Sequence, residues 1–210
     1  MAKDIIDVHA HVVFDALLGA AGEHGPEVGL TDQGAPFFRI GGYKMTPITY
    51  EGTVFTDLSL RLSELDRLNI DIQVLSPNPL TFLHGIEATI ATDFCRQHNT
   101  LMAQTVSEAP SRLLGLAALP MQDVSAACDE LERAVSELGL TGAMVGTDFR
   151  QGFSCNTMDR LYQKFVELNV PLFVHASSTD GVSNLQDMRL GVHNLSLSLG
   201  YAQEEALAVA

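Results

Sequence analysis

Two histidines separated by a single residue stand near the amino terminus, in the run Asp7-Val8-His9-Ala10-His11. The residues before them are short-spaced and β-branched, and Ile5–His9 (IIDVH) reads as a strand. Residues two apart on a strand point to the same face, so His9 and His11 would project together from its carboxyl end. Two neutral imidazoles one pleat apart can share a metal ion at about 2.0–2.1 Å each. Taken alone, an H-x-H pair fits two satisfied polar histidines at a strand end equally well. His175 shifts that balance. It closes the apolar run Val170–Ala176 (VPLFVHA), where a charged imidazolium would be costly to bury. A neutral ring bound to metal avoids the cost, whereas the competing reading is a core-edge histidine bonded to backbone. The expected centre is therefore a metal site with His9, His11 and His175 as its ligands.

Such a site needs elements that bring strand ends together. Strand and helix signals alternate along the chain. The apolar runs Ile70–Ser76, ended by Pro77, and Leu113–Leu119, ended by Pro120, read as the second and third strands. Ala143–Thr147 and Val170–Ala176 read as the fourth and fifth. Their nearly continuous apolar character is that of parallel strands covered by helices. Between them lie helical patterns. Asp57–Leu68 has Asp57 as an N-cap and Leu58, Leu62, Leu65 and Leu68 on one face. Ile86–Glu108 stops before Pro110, Asp123–Leu138 meets Gly139 as a C-cap, Thr157–Leu168 repeats the pattern, and a last helix begins near Ala202. This alternation predicts an α/β fold with right-handed crossovers and a parallel sheet, either doubly wound or a (β/α)8 barrel. No G-x-G-x-x-G follows the first strand, which weakens a dinucleotide-binding reading. Residues 1–210 read as one domain. The stretch Val12–Thr56 is a long, Gly- and Pro-rich insertion with little regular pattern, expected to fold over the strands' carboxyl ends as a lid or substrate loop.

Composition bounds the partners. Lys and Arg number 12 against 26 Asp and Glu, a formal net charge of −14. That argues against nucleic acid and anionic membrane, which want a basic face. It leaves an anionic small molecule open, since a bound metal reverses the local field. Cys95, Cys128 and Cys155 are odd in number and far apart, so they form neither a CxxC motif nor a disulfide framework. No signal-peptide stretch opens the chain, and no apolar run approaches the ~20 residues of a membrane span. A cytoplasmic location is expected.

The ordered series IDVHAH, DLSLRLSELDRLNIDIQVLSPNP, CRQHN, RLLGLAALPMQD, LGLTGAMVGT and VPLFVHAS resembles the amidohydrolase-2 family. Within it, the likeness is to aminocarboxymuconate-semialdehyde and resorcylate-type decarboxylases. The resemblance implies a (β/α)8 TIM-type barrel, of which this chain carries about the first five β/α units. It implies that His9 and His11 are first-strand ligands, that His175 is the fifth-strand ligand, and that the cofactor is a divalent metal, Zn2+ by preference. The family's acid/base histidine after the sixth strand and metal-binding aspartate after the eighth have no counterpart here and are expected beyond residue 210. His193 reads as a solvated loop residue.

Arg39 and Lys44 lie in the insertion, where the family places an arginine, and could hold a substrate carboxylate. Most loop cations are simply solvated. His84, after the second strand, could line the pocket or sit on the surface. Asp148, after the fourth strand, could touch substrate. Arg61, Arg96 and Asn99 read as structural. The implied function is a metal-dependent, non-oxidative decarboxylase, a carbon–carbon lyase acting on an unsaturated or aromatic carboxylic acid. The alternatives are a metal-dependent hydrolase of a lactone or amide, and a non-catalytic fragment. The expected partner is the small-molecule acid, and a homo-oligomer remains open.

Overall fold

Apolar runs become parallel strands in the computed structural model, which describes residues 4–148, 153, 155–177 and 199–209. β1 (Ile6–Val12) pairs in parallel with β5 (Ile72–Pro77), which pairs in parallel with β6 (Leu113–Gly115). β7 (Ala143–Gly146) and β8 (Leu172–His175) form a second parallel pair. A parallel bridge between Ala117 and Ala143 joins the two groups. The strand order β1-β5-β6-β7-β8 thus follows the chain, as consecutive βα units with same-handed crossovers require.

Helices occupy the steps between. α1 (Leu58–Leu68) starts at Asp57, whose carboxylate accepts from the Leu60 amide at 2.9 Å, and ends at Asn69 in the left-handed region. α2 is Ala88–Glu108 and α3 Val124–Ser136, the latter capped by Asp123 through the Ser125 and Ala126 amides. Glu137 caps the far end of α3, and the expected Gly139 takes its left-handed turn two residues later. α4 is Asp159–Leu168 and α5 Tyr201–Ala208. Leu65, Leu75, Met102, Leu113, Leu131 and Leu161 form the principal core between helices and sheet. Gly115 permits that packing, because a Cβ there would lie 2.8 Å from the Met102 side chain and 3.0 Å from Leu140. Leu68, expected on the buried face of α1, is 51 % exposed; it sits on the helix's last turn, past the sheet's cover. No helix among the described residues is long and apolar enough to cross a membrane.

The insertion departs from its reading as an irregular loop. It holds an antiparallel sheet of β2 (Glu27–Leu30), β3 (Pro36–Ile40) and β4 (Tyr43–Met45). Strands this short show too few alternations to stand out in a sequence, and the glycines that suggested a loop serve the turns between them. Phe38 and Ile40 pack with Val13, Leu17, Leu83 and Phe94 in a second core. Tyr50 stands edge-on to Phe38 and accepts a hydrogen bond from Asn78 at 3.4 Å. Leu83 and Asn78 belong to the segment leaving the carboxyl end of β5, so the insertion rests on that side of the sheet.

Buried polar groups are tied into networks. Arg61 donates to the His11 carbonyl and the Gln73 side chain, both at 2.7 Å, and Gln73 donates to Asp7 at 2.7 Å. His98 stands apart. It is 2 % exposed, faces the Phe14 ring edge-on, and its Nε2 has no partner. Burial pushes its pKa down from 6.5 to about 4, against a weak bond to Asn99. The fold therefore favours the neutral ring. Below about pH 6.5 the unfolded chain takes up a proton that the folded one refuses, and stability falls until the folded pKa is reached. A shift of that size corresponds to roughly 3 kcal/mol. Replacing His98 with leucine should flatten the decline of unfolding free energy between pH 6.5 and 4, read by urea titration against the parent protein. Parallel slopes in the two proteins would sink this account.

Candidate metal centre

The geometry of β1 begins with a bulge. Asp7 pairs with Gln73 and Ala10 with Leu75, so Val8 and His9 together oppose Val74. Such an extra residue bends a strand and re-aims its side chains. The His9 amide donates back to Asp7 Oδ1 at 3.1 Å. From the bulge onward, His9 and His11 share one face, and their Nε2 atoms are 3.0 Å apart. His175, the last residue of β8, completes a triangle. Ring centroids are 4.8 Å apart for His9 and His11, and 5.1 Å from each of these to His175. One nitrogen from each ring lies within 4.8 Å of the others.

Backbone oxygens set the rings' tautomers. His11 Nδ1 is 2.9 Å from the Pro77 carbonyl and 3.0 Å from Ser76 Oγ. A neutral ring donating from Nδ1 keeps its lone pair on Nε2. His175 Nδ1 lies 2.5 Å from the Ala176 carbonyl, with the same consequence. This is the arrangement that metal-binding histidines use, the outer nitrogen held by a carbonyl. Burial pushes His11 down to about 4, helped by the neighbouring His175 and His9. Burial also lowers His175, opposed by its bond to Ala176. Both rings thus favour the neutral form, with a lone pair free on Nε2, that metal binding needs. Two ligands at about 2.0–2.1 Å from one ion stand close to 3 Å apart, as these Nε2 atoms do. The donor set fits a divalent cation.

The other expected residues distribute differently. Arg39 is engaged within the insertion. Its Nε and Nη2 hold Glu27 across the hairpin at 2.7 and 2.5 Å, and Nη1 donates to the Glu23 and Gly41 carbonyls. All three nitrogens serve the insertion, because cross-strand neighbours β2 and β3 place Glu27 opposite Arg39. Lys44 lies over the Phe37 ring, 3.7 Å from its centroid, a cation–π contact within the same sheet. Replacing Arg39 with alanine should therefore destabilise the protein by about 1–2 kcal/mol, the worth of charged hydrogen bonds. Metal content should not change, and a loss of bound metal would return Arg39 to the site. His84 is buried and bonded to Asp148 at 2.8 Å. Phe82 and Tyr201 bring their rings to 6.5 and 6.3 Å from His175. Glu204 accepts from Thr147 and the Ser177 amide, and Glu205 from the Ala176 amide. Nothing local in the sequence signals these α5 contacts. His193 lies outside the described residues.

Fold and site together define a class: a parallel α/β protein with a histidine cluster at the carboxyl ends of its strands. The Amidohydrolase family model matches residues 6–209, and the chain belongs to that family. It is 34 % identical over 120 residues to 2-amino-3-carboxymuconate-6-semialdehyde decarboxylase of Dictyostelium discoideum, covering 57 % of this chain and 33 % of the relative. It is 41 % identical over 86 residues to gamma-resorcylate decarboxylase of Rhodococcus jostii, covering 41 % and 26 %. The fold is similar to the crystal structure of dihydroxybenzoic acid decarboxylase from Polaromonas sp. JS666 with bound manganese and the inhibitor 2-nitroresorcinol. The TM-score is 0.71 at 22 % identity, over 99 % of this chain and 59 % of that one. The chain thus spans about three fifths of the solved relative's length, and the matched stretches span a third or less of the two curated relatives.

Proposed function

We propose that the protein is a metal-dependent, non-oxidative decarboxylase of an aromatic or unsaturated carboxylic acid. The observation that carries this reading is the convergence of His9, His11 and His175, with Nδ1 of His11 and His175 engaged by backbone carbonyls. These three residues are the proposed ligands. The five parallel strands are proposed to be the opening β/α units of a (β/α)8 barrel, whose active sites lie at the carboxyl face. The relatives' names supply the substrate class.

When bound, a divalent metal supplies positive charge that holds an acidic substrate and stabilises negative charge as carbon dioxide leaves. The chain's own residues prepare the place. Pro77 and Ala176 fix the tautomers of His11 and His175, Ser76 steadies His11, and Arg61 holds the His11 carbonyl. The Phe82 ring brings apolar surface beside His175. Three imidazoles suit zinc, whereas the solved relative contains manganese. Elemental analysis of the purified protein decides between them. The three cysteines are free thiols, which supports a cytoplasmic location.

The test is to incubate the purified, metal-loaded protein with 2,6-dihydroxybenzoate and with a carboxymuconate semialdehyde, and to follow carbon dioxide and products by mass. Carbon dioxide release without net addition of water supports the lyase. A product heavier by one water would make it a hydrolase, and an unchanged acid with either metal would favour the non-catalytic fragment over both enzyme readings.

A further inference from the structure

Among the described residues, the metal-sized cluster comprises His9, His11 and His175, and His84 stands outside it. Yet His84 is held from several directions. Its side chain is 1 % exposed. Leu83, just before it, has φ +55, a conformation uncommon for a branched side chain. The Leu83 and Ile86 carbonyls both accept from Gln122 Nε2, at 2.6 and 3.2 Å, so the β6–α3 connection clamps the turn. His84 Nδ1 faces Asp148 Oδ1 at 2.8 Å. The imidazole lies flat on Phe82, with centroids 5.3 Å apart and planes 7° from parallel.

Both ends of this pair lead to His175. Phe82, beneath His84, meets the His175 ring at 62° and 6.5 Å. Asp148 Oδ1 and the Ser177 side chain, two residues past His175, both come close to the same point beside Gly146. Gly146, which pairs with His175 across β7 and β8, makes room for both side chains. A Cβ at Gly146 would lie 2.6 Å from Ser177 Oγ and 2.8 Å from Asp148 Oδ1. The pair is thus linked to the β8 ligand indirectly, through the Phe82 ring on one side and through Ser177, two residues along the chain, on the other.

We propose that His84 and Asp148 are positioning residues that hold His175 in its binding orientation and so set the centre's affinity for divalent cations. The proposal rests on the reading of the three histidines as ligands. A buried polar pair is a weak source of stability compared with apolar packing of the same volume. Groups that orient a ligand from outside typically govern affinity by 10–100-fold.

The probe is cobalt(II), titrated into metal-stripped full-length chain by visible absorption, with thermal unfolding of the metal-free protein measured beside it. Asp148→Asn keeps the shape and removes the charge. His84→Phe keeps the stack on Phe82 and removes the ring nitrogens. Gly146→Ala intrudes on the space that Asp148 and Ser177 share. Each should weaken cobalt binding by about 10–100-fold, with the metal-free midpoint of Asp148→Asn close to the parent's. A lowered midpoint with unchanged cobalt affinity would assign the pair to stability alone and overturn the proposal. Should His84→Phe fail to fold, the isosteric Asp148→Asn decides. His175→Ala separates the two layers of inference. If the parent binds one cobalt, His175→Ala binds none and the pair variants bind like the parent, only the positioning role fails. If His175→Ala binds like the parent, or the parent does not bind, the ligand assignment fails and the proposal with it.

Discussion

On the proposed reading of the site, alanine at His11 is expected to leave the protein without stoichiometric metal and to reduce the proposed decarboxylation by at least ~10³-fold, corresponding to about 4 kcal/mol of lost charge stabilisation. The same holds for His9. The size of the effect follows from the geometry. Each ring supplies one of three nitrogens gathered within 4.8 Å, and the described residues offer no other histidine, cysteine or acidic side chain to that cluster. Two remaining imidazoles, one on each of two strands, hold a cation much more loosely than three. Removal of metal with a chelator should reproduce the loss in the parent protein and add nothing further in the variants. Ser76→Ala is the graded comparison. It deletes a contact to His11 Nδ1 while the Pro77 carbonyl remains, so metal affinity should fall by about tenfold, the low end for an orienting group. Metal content near one per chain in His11→Ala, with activity lost, would mean that the ring acts on substrate and not as a ligand.

The largest expected effect on stability lies far from the histidines. Glu130 on α3 is 1 % exposed and gathers three side chains. Arg133 donates to both its oxygens at 2.8 and 2.7 Å, Asn99 donates at 2.7 Å, and Arg96 stands at 3.3 Å. Asn99 also pairs with the backbone of Ala118, accepting from its amide at 2.8 Å and donating to its carbonyl at 2.9 Å. Glu130 thereby links α3 and α2 to the segment that follows β6. Removing one partner of a buried ion pair leaves the other uncompensated, at about 3–5 kcal/mol. Arg133 keeps some solvent access, so Glu130→Ala should cost near 3 kcal/mol. For a chain of this size that is a fall of roughly 6–12 °C in midpoint temperature. Glu130→Gln should recover part of it by preserving the Asn99 contact. An unchanged midpoint in Glu130→Ala would show that water compensates Arg133 and Asn99 fully. The assignment of Arg96 and Asn99 to structure agrees with these contacts.

Much of the architecture was legible along the chain because it is local. Continuous apolar runs closed by proline marked β5, and the same patterning marked β7 and β8 to within two residues at either end. Asp57 announced α1 because an N-cap acts within three residues of itself. The one-residue spacing of His9 and His11 placed them on one face, since a strand's side-chain period is two. Even there the bulge at Val8 and His9 leaves no mark in the sequence, being a property of β1 against β5 and not of either alone.

What tertiary structure decided are the pairings between distant residues. Which nitrogen of His11 faces the centre depends on the Pro77 carbonyl, 66 residues away. His84 meets Asp148 across 64 residues, a partnership with no trace in either neighbourhood. Arg39 looked available for a substrate carboxylate because a sequence records its charge and not its partner, yet the β2–β3 register places Glu27 beside it. The physical reason is common to these cases. Backbone periodicity and capping act within a few residues and leave a pattern in the chain. A side chain's protonation, tautomer and partner are set by whichever strand ends and loops the fold places around it.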